Sequence, residues 1–254
     1  MRDFTLYKYR ELLQGIIKAE YSFVTDVDAF KSGKKVILMR HDIDVWPENA
    51  LKMAKLEHKL GVKAMYYFRM KKCSFDPEII LQIKNLGHEI GYHYEELSDT
   101  KGNIAEAYEL FKNNLNRFRE LLPITTIVMH GRALSRWDSK KIWEKYSYKD
   151  LGIEFEPYFD IDFNEVKYYT DTGGMWDGDK YSIRDFVKDD LKIQVHTTND
   201  FIDKINKGII NSKLHLTVHP DRWNDNLFVW LFVFFRVNVK NIPKMMLKNL
   251  RAKR

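Results

Sequence analysis

Short apolar runs alternate with helix-type patterns along most of the chain. Residues 35–40, Lys-Val-Ile-Leu-Met-Arg, read as a strand. Residues 47–60 read as a helix, with Pro47 at a natural start and Gly61 at the stop. The aromatic run 64–68 is strand-like. Asp76-Pro77 opens another helix, in which Ile79, Ile80, Ile83 and Leu86 keep helical spacing and which Gly87 ends. A short strand is expected at 89–92. A long helix is expected over 103–122, with Ala107, Leu110, Phe111, Leu115 and Phe118 on one face. Pro123 breaks it before a strand at 125–129, and later strands are expected at 153–157, 166–169, 192–195 and 214–218.

Strands alternating with helices predict an α/β fold with a mainly parallel sheet. Six to eight such steps favour a (β/α) barrel over an open doubly wound sheet. No Gly-x-Gly-x-x-Gly follows a strand and no Walker-type loop occurs, so nucleotide folds lack their phosphate-binding loops.

Several strands run straight into ionisable residues. The first ends in Arg40-His41-Asp42-Ile43-Asp44, and the run after Gly91 gives His93-Tyr94-Glu95-Glu96. The strand at 125–129 ends in His130-Gly131-Arg132, and the last in His219-Pro220-Asp221. The carboxyl ends of barrel strands share one face, so these residues would meet at one mouth. Histidines, aspartates and glutamates around a cavity suit metal binding or acid–base work. Asp42 and Asp44 stand two apart, so in extended chain they point to one side, although paired aspartates also shape turns and caps. His88, at a helix end, and His58, within a helix, read as structural and surface residues, and His196 and His215 are left open.

Composition changes this picture little. The 254 residues suit one large domain or two small ones, with 44% apolar and 31% charged residues, a globular balance. A single cysteine, Cys73, excludes an internal disulfide and a cysteine zinc ribbon. The net charge of +6 is local. Seven of the 42 basic residues lie from Arg236 onward, which leaves 35 against 36 acidic ones. A nucleic-acid groove is therefore not indicated, and specific nucleic-acid binding is not expected. The longest apolar run, 227–235, is short of the roughly 20 residues of a membrane span. The N-terminal residues lack a signal-peptide core, so a cytoplasmic location is expected, with membrane association open.

Residues 38–44, 61–68 and 87–93, together with Thr170-Asp171-Thr172-Gly173-Gly174-Met175-Trp176 and 218–223, resemble the polysaccharide deacetylase superfamily, in a divergent branch tied to surface-glycan biosynthesis. The resemblance spans about residues 5–250. It implies a distorted (β/α) barrel of about seven strands. It also implies a divalent ion held by one aspartate and two histidines, a second aspartate as general base, a last-strand histidine as general acid, and hydrolysis of N- or O-acetyl groups on sugars. Two departures stand out. The usual adjacent aspartates become Asp42 and Asp44, either of which could be the metal ligand. The position for a second histidine is Leu97, so Glu95, Glu96 or His130 would have to substitute.

The expected protein is a single barrel over 1–254, with a helical N-terminal extension at 1–30 and an apolar helix plus basic tail at 225–254. It would remove an acyl group, acetyl first, from a sugar or glycan precursor. Candidate metal residues are Asp42, Asp44, His93, Glu95 and His130, holding zinc first, or nickel, cobalt or manganese. Candidate catalytic residues are Asp42, Asp44, His219 and Arg132. Arg40, His41, Asp171 and Trp176 are candidate substrate contacts. The alternative is a degenerate, glycan-binding relative. A third reading is a membrane-surface factor acting through residues 226–237 and the basic tail, against the plainer reading of a helix packed on the core or on another subunit.

Overall fold

The computed structural model describes residues 2–132, 135–181, 187 and 193–252, with backbone only at 179–180 and 247–252. In chain order the elements are α1 (Leu6–Lys18), β1 (Ser22–Phe23), α2 (Val27–Ser32), β2 (Val36–Ile43), α3 (Pro47–Lys59), β3 (Met65–Phe68), α4 (Pro77–Asn85), β4 (Glu89–Tyr94) and α5 (Glu96–Asp99). They continue with α6 (Ile104–Arg119), β5 (Ile127–Met129), α7 (Pro157–Asp160), β6 (Val166–Thr170), α8 (Thr198–Asn206), β7 (Lys213–Val218) and α9 (Leu227–Ala252).

Helix starts follow local chemistry. Thr5, Asp76, Asn103 and Thr197 each accept a hydrogen bond from a backbone N–H of the first turn, and Pro77 occupies the first turn of α4.

All strand pairs are parallel. The path runs β5-β4-β3-β2-β7-β6, with β1 beside the start of β2. The sheet curls as a distorted barrel whose ladder, among the described residues, is not closed between β5 and β6.

Several expectations change here. Residues 153–157 give only a bridge from Phe155 to Thr126, not a strand. Residues 193–195 are irregular, while Lys192, the start of that expected strand, lies outside the described residues. The segment 1–30 is more than a helical extension, because it supplies β1 to the sheet and α1, which packs on α8. At the other end, the apolar helix and the basic stretch as far as residue 252 form one continuous helix, α9. No helix among the described residues is long and apolar enough to cross a membrane.

The period of two along β2 sorts its fully buried residues. Ile37, Met39 and Ile43 join the large core beneath the helices. Val36 and Leu38 join a smaller cluster with Met65, Tyr67, Val128 and Val166 inside the curl. Gly91 belongs to this floor: a Cβ there would lie 2.3 Å from the Tyr67 ring, so only glycine admits that side chain. The same inward parity, followed toward the carboxyl ends, passes from apolar floor to charge: Leu38 to Arg40 and Asp42, Tyr67 to Arg69, Gly91 to His93 and Val128 to His130.

Candidate functional site

Three side chains from three strand ends converge. Asp44 follows β2, His93 lies in β4 and His130 follows β5. One ligand atom from each falls within 4.8 Å of the other two. His130 Nε2 is 3.2 Å and His93 Nε2 3.6 Å from Asp44 Oδ1, and that oxygen is buried without a hydrogen-bond partner.

Each imidazole is held from behind. His93 Nδ1 lies 3.1 Å from the Val128 carbonyl, and His130 Nδ1 lies 3.1 Å from Glu95 Oε2. A donor role for Nδ1 in both leaves each Nε2 lone pair facing Asp44. Two imidazoles and one carboxylate, backed in this way, match the donor set of a catalytic zinc site with an open position. The residues present fit a divalent ion.

The electrostatics agree with that fit. Burial would raise Asp44, but His130 above all, then His93 and His219, hold it ionised well below the usual carboxylate range. Burial opposes charge on His130, yet Asp44 and Glu95 push it up to about 9. Burial likewise opposes charge on Glu95, and His130 and Arg69 bring it down to about 2. In the absence of an ion, then, the proton on His130 balances the two carboxylates.

Asp42 stands outside this trio. Arg40 grips it bidentately, with Nε donating to Oδ1 and Nη2 to Oδ2, both at 2.6 Å. Burial would raise Asp42, but Arg40, then His93, outweigh it and keep the carboxylate ionised. Its Oδ2 sits between two imidazoles, 3.7 Å from His93 Nε2 and 4.0 Å from His219 Nε2. Arg40 is therefore a buried clamp lying over the Tyr158 ring, not an open substrate contact.

Opposite stands a second pair. His219, just past β7, places Nδ1 2.7 Å from Asp171 Oδ1, just past β6. Asp171 Oδ2 also accepts from the His219 backbone N–H at 3.0 Å and from Trp223 Nε1 at 2.8 Å. Burial would raise Asp171, and Arg222 and His219 lower it instead. Burial and Arg222 oppose charge on His219, but Asp171 and, beyond it, Asp44 leave the imidazole titrating above its ordinary value.

The remaining sequence candidates fall elsewhere. Glu95 holds Arg69 at 2.6 Å and His130, so it backs the trio rather than joining it as expected. Arg132, a catalytic candidate, is 49% exposed and pairs with Asp99 at 3.1 Å, with the same nitrogen 3.9 Å from Glu95 Oε2, so it stands behind His130 and not among the ligand atoms. His41 points outward by strand parity. It is fully buried 2.6 Å from Glu57, stacked on Tyr66, and cannot reach a substrate. Trp176 is buried as well, donating to Thr198 Oγ1 and packed on Phe201, so it is a core residue and not a sugar platform. Asp171 acts on His219 and offers no free oxygen to a sugar. Leu97 packs with Ala107 and Ile142 in a small apolar cluster. Of the histidines left open, His215 is buried and pushed down to about 3 by burial and Arg40, while His196 pairs with Asp177 at the surface.

Sequence reasoning missed Arg69 and Arg222. Arg69 follows β3 directly and would have emerged had the strand-end rule been applied there too. Arg222 lies three residues past His219, inside the 218–223 motif already singled out, where it was given no role.

No family model and no curated protein matches the chain. Among solved structures it is similar to a family 4 carbohydrate esterase from Bacillus anthracis, at 13% identity over 92% of this chain and 86% of that one, with a TM-score of 0.39. It is similar to a Streptococcus mutans CE4 esterase at 14% identity over 89% and 86%, with a TM-score of 0.46. A third is a CE4 family pseudoenzyme from Bacillus anthracis, at 11% identity over 82% of this chain and 62% of that one, with a TM-score of 0.44. At these identities it is the residues of the site, not the likeness, that bear on chemistry.

Proposed function

We propose that the protein is a metal-dependent hydrolase that removes an acyl group, acetyl first, from a sugar or glycan precursor in polysaccharide biosynthesis. The carrying observation is the convergence of Asp44, His93 and His130 between an arginine-held carboxylate, Asp42, and an aspartate-backed imidazole, His219.

Asp44, His93 and His130 would hold the ion, with zinc the first choice for this donor set. A bound divalent ion supplies polarisation of the acyl carbonyl and acidification of water at that point. Asp42 Oδ2 faces the same space and accepts the water's proton as the oxygen attacks the acyl carbon. Arg40 keeps that carboxylate ionised and fixed in angle. His219, charged above its ordinary range and aimed by Asp171, delivers a proton from Nε2 to the departing nitrogen or oxygen. The acyl–heteroatom bond breaks, and a carboxylate and a free amine or hydroxyl leave.

The reading of a degenerate binder rests on Leu97. The imidazole missing from that position is supplied from the neighbouring strand by His130, which supports a working site.

The test is acetate release from acetylated amino sugars by zinc-loaded or cobalt-loaded protein. The expected result is metal-dependent release that falls about 100-fold or more in His219→Ala and in Asp42→Asn. Metal-loaded protein that binds acetylated sugars and releases no acetate would contradict the hydrolase and leave a binding protein.

A further inference from the structure

The helix α9 has two apolar sides. One seats it on the body. Trp230 donates to the Asp3 carbonyl at 2.7 Å, Val237 packs against Gly174, and Asn241 donates to the Gly173 carbonyl at 2.9 Å. Arg236 pairs with Asp221 and lies over the Trp46 ring.

The other side faces out. Phe228, Phe232, Phe235, Val239, Ile242 and Met246 recur at intervals of four and three, so they share one face. Their exposures run from 58% to 80%. A contiguous row of this kind, with three phenylalanines, is not ordinary surface scatter.

Charge indicates what covers it. Residues 226–254 carry seven basic and no acidic side chains. At 3.6 residues per turn, exposed Lys240 falls on the flank between the outward face and the body-facing row, one turn beyond Arg236, which Asp221 already holds. A second copy of this helix offers no counter-charge, whereas an anionic bilayer offers both hydrocarbon and counter-charge.

We infer that α9 is an interfacial helix that docks the protein on an anionic lipid surface. The phenylalanine row enters the boundary between headgroups and acyl chains, and the basic flank meets lipid phosphates. The helix is not long and apolar enough to span, so it lies in the plane of the surface.

The same helix seats the loops that carry Asp171 and His219, through Gly173, Gly174 and Asp221. Docking therefore sets the rim of the mouth beside the headgroups. Resting on the hydrolase reading above, this makes the substrate class a glycan carried on a lipid.

The test needs neither metal nor turnover, so its failure is distinct from failure of the hydrolase. The full chain is sedimented with phosphatidylcholine vesicles, with and without about a third phosphatidylglycerol. The expected result is binding to the anionic vesicles, at least tenfold weaker on phosphatidylcholine alone. It should also be at least tenfold weaker in a Phe228→Glu/Phe232→Glu/Phe235→Glu variant that keeps the wild-type circular dichroism and melting temperature. No binding to either vesicle would overturn the inference, as would binding that the triple variant retains. A dimer that the triple variant dissolves, in a protein that leaves vesicles untouched, would assign the face to a second copy instead.

Discussion

His130 Nε2 stands 3.2 Å from Asp44 Oδ1, although the two residues follow different strands, β5 and β2, that are not neighbours in the sheet. Between them β4 contributes His93, and behind His130 stands Glu95, itself held by Arg69 from the end of β3. Four consecutive strand ends thus build one donor set and its support. The floor beneath is packed with Leu38, Tyr67 and Val128, so the donor set sits above it at the mouth.

Glu95 fixes the ring of His130 and raises its basicity without reaching the trio itself. Glu95→Gln should weaken metal affinity about 10- to 100-fold while leaving the fold intact. Competition with a chromophoric chelator checks this, and an unchanged affinity would remove Glu95 from the supporting role.

Metal binding should depend on pH through His130. Its imidazole is held up to about 9, and an ion needs the neutral ring. As pH falls below about 9, the proton competes and apparent affinity should drop by about tenfold per unit. Calorimetry in buffers of different ionisation enthalpy should register about one proton released per ion near neutral pH. Binding that takes up no proton and ignores pH would contradict a ligand role for His130.

The trio was only partly legible in the chain. Strand-end placement, read from apolar runs that stop at charged residues, brought out Asp44, His93 and His130 together with Asp42 and His219. It could not separate ligand from base within Asp42-Ile43-Asp44, because both aspartates have inward parity. The separation comes from Arg40, whose guanidinium occupies both oxygens of Asp42 and none of Asp44. His41 was misread because it sits in the same polar run, yet odd parity turns it to Glu57 under the helices. Trp176 was misread because a tryptophan beside Asp171 looks the same in sequence whether it faces a sugar or, as here, Phe4, Phe201 and Trp223. The strand expected at 153–157 reduces to one bridge, since Phe155 pairs at the sheet edge and Pro157 then starts α7.

Asp171 tests the acid. It outweighs burial and Arg222 to keep His219 charged above its ordinary range. An acid must be protonated to work, so the rate should fall as pH rises through the His219 value. Asp171→Asn removes the charge that holds this value up, so the alkaline limb should move to lower pH and kcat should fall about 100-fold or more. A lowered kcat with an unmoved limb would mean that Asp171 serves packing alone.

Glu57 is a structural charge. It accepts from Tyr9 and Tyr66 and lies beside His41, all fully buried. Burial would raise it, but His41 and then His88 hold it below the ordinary carboxylate value. A lowered folded-state value gives stability that is present above the unfolded value and lost as pH falls through the folded one. Glu57→Gln should therefore destabilise by about 3 kcal/mol at neutral pH, and the loss should shrink in acid. Urea unfolding measures both, and metal content should be unchanged.

The most direct test is the metal content of purified protein by elemental analysis, beside four variants. Near-stoichiometric divalent metal in the wild type, lost in Asp44→Ala, His93→Ala and His130→Ala but kept in Asp42→Asn, is the predicted result. Protein that takes up no ion from excess zinc, nickel, cobalt or manganese would contradict the account, and so would an ion lost with Asp42 and retained without His130.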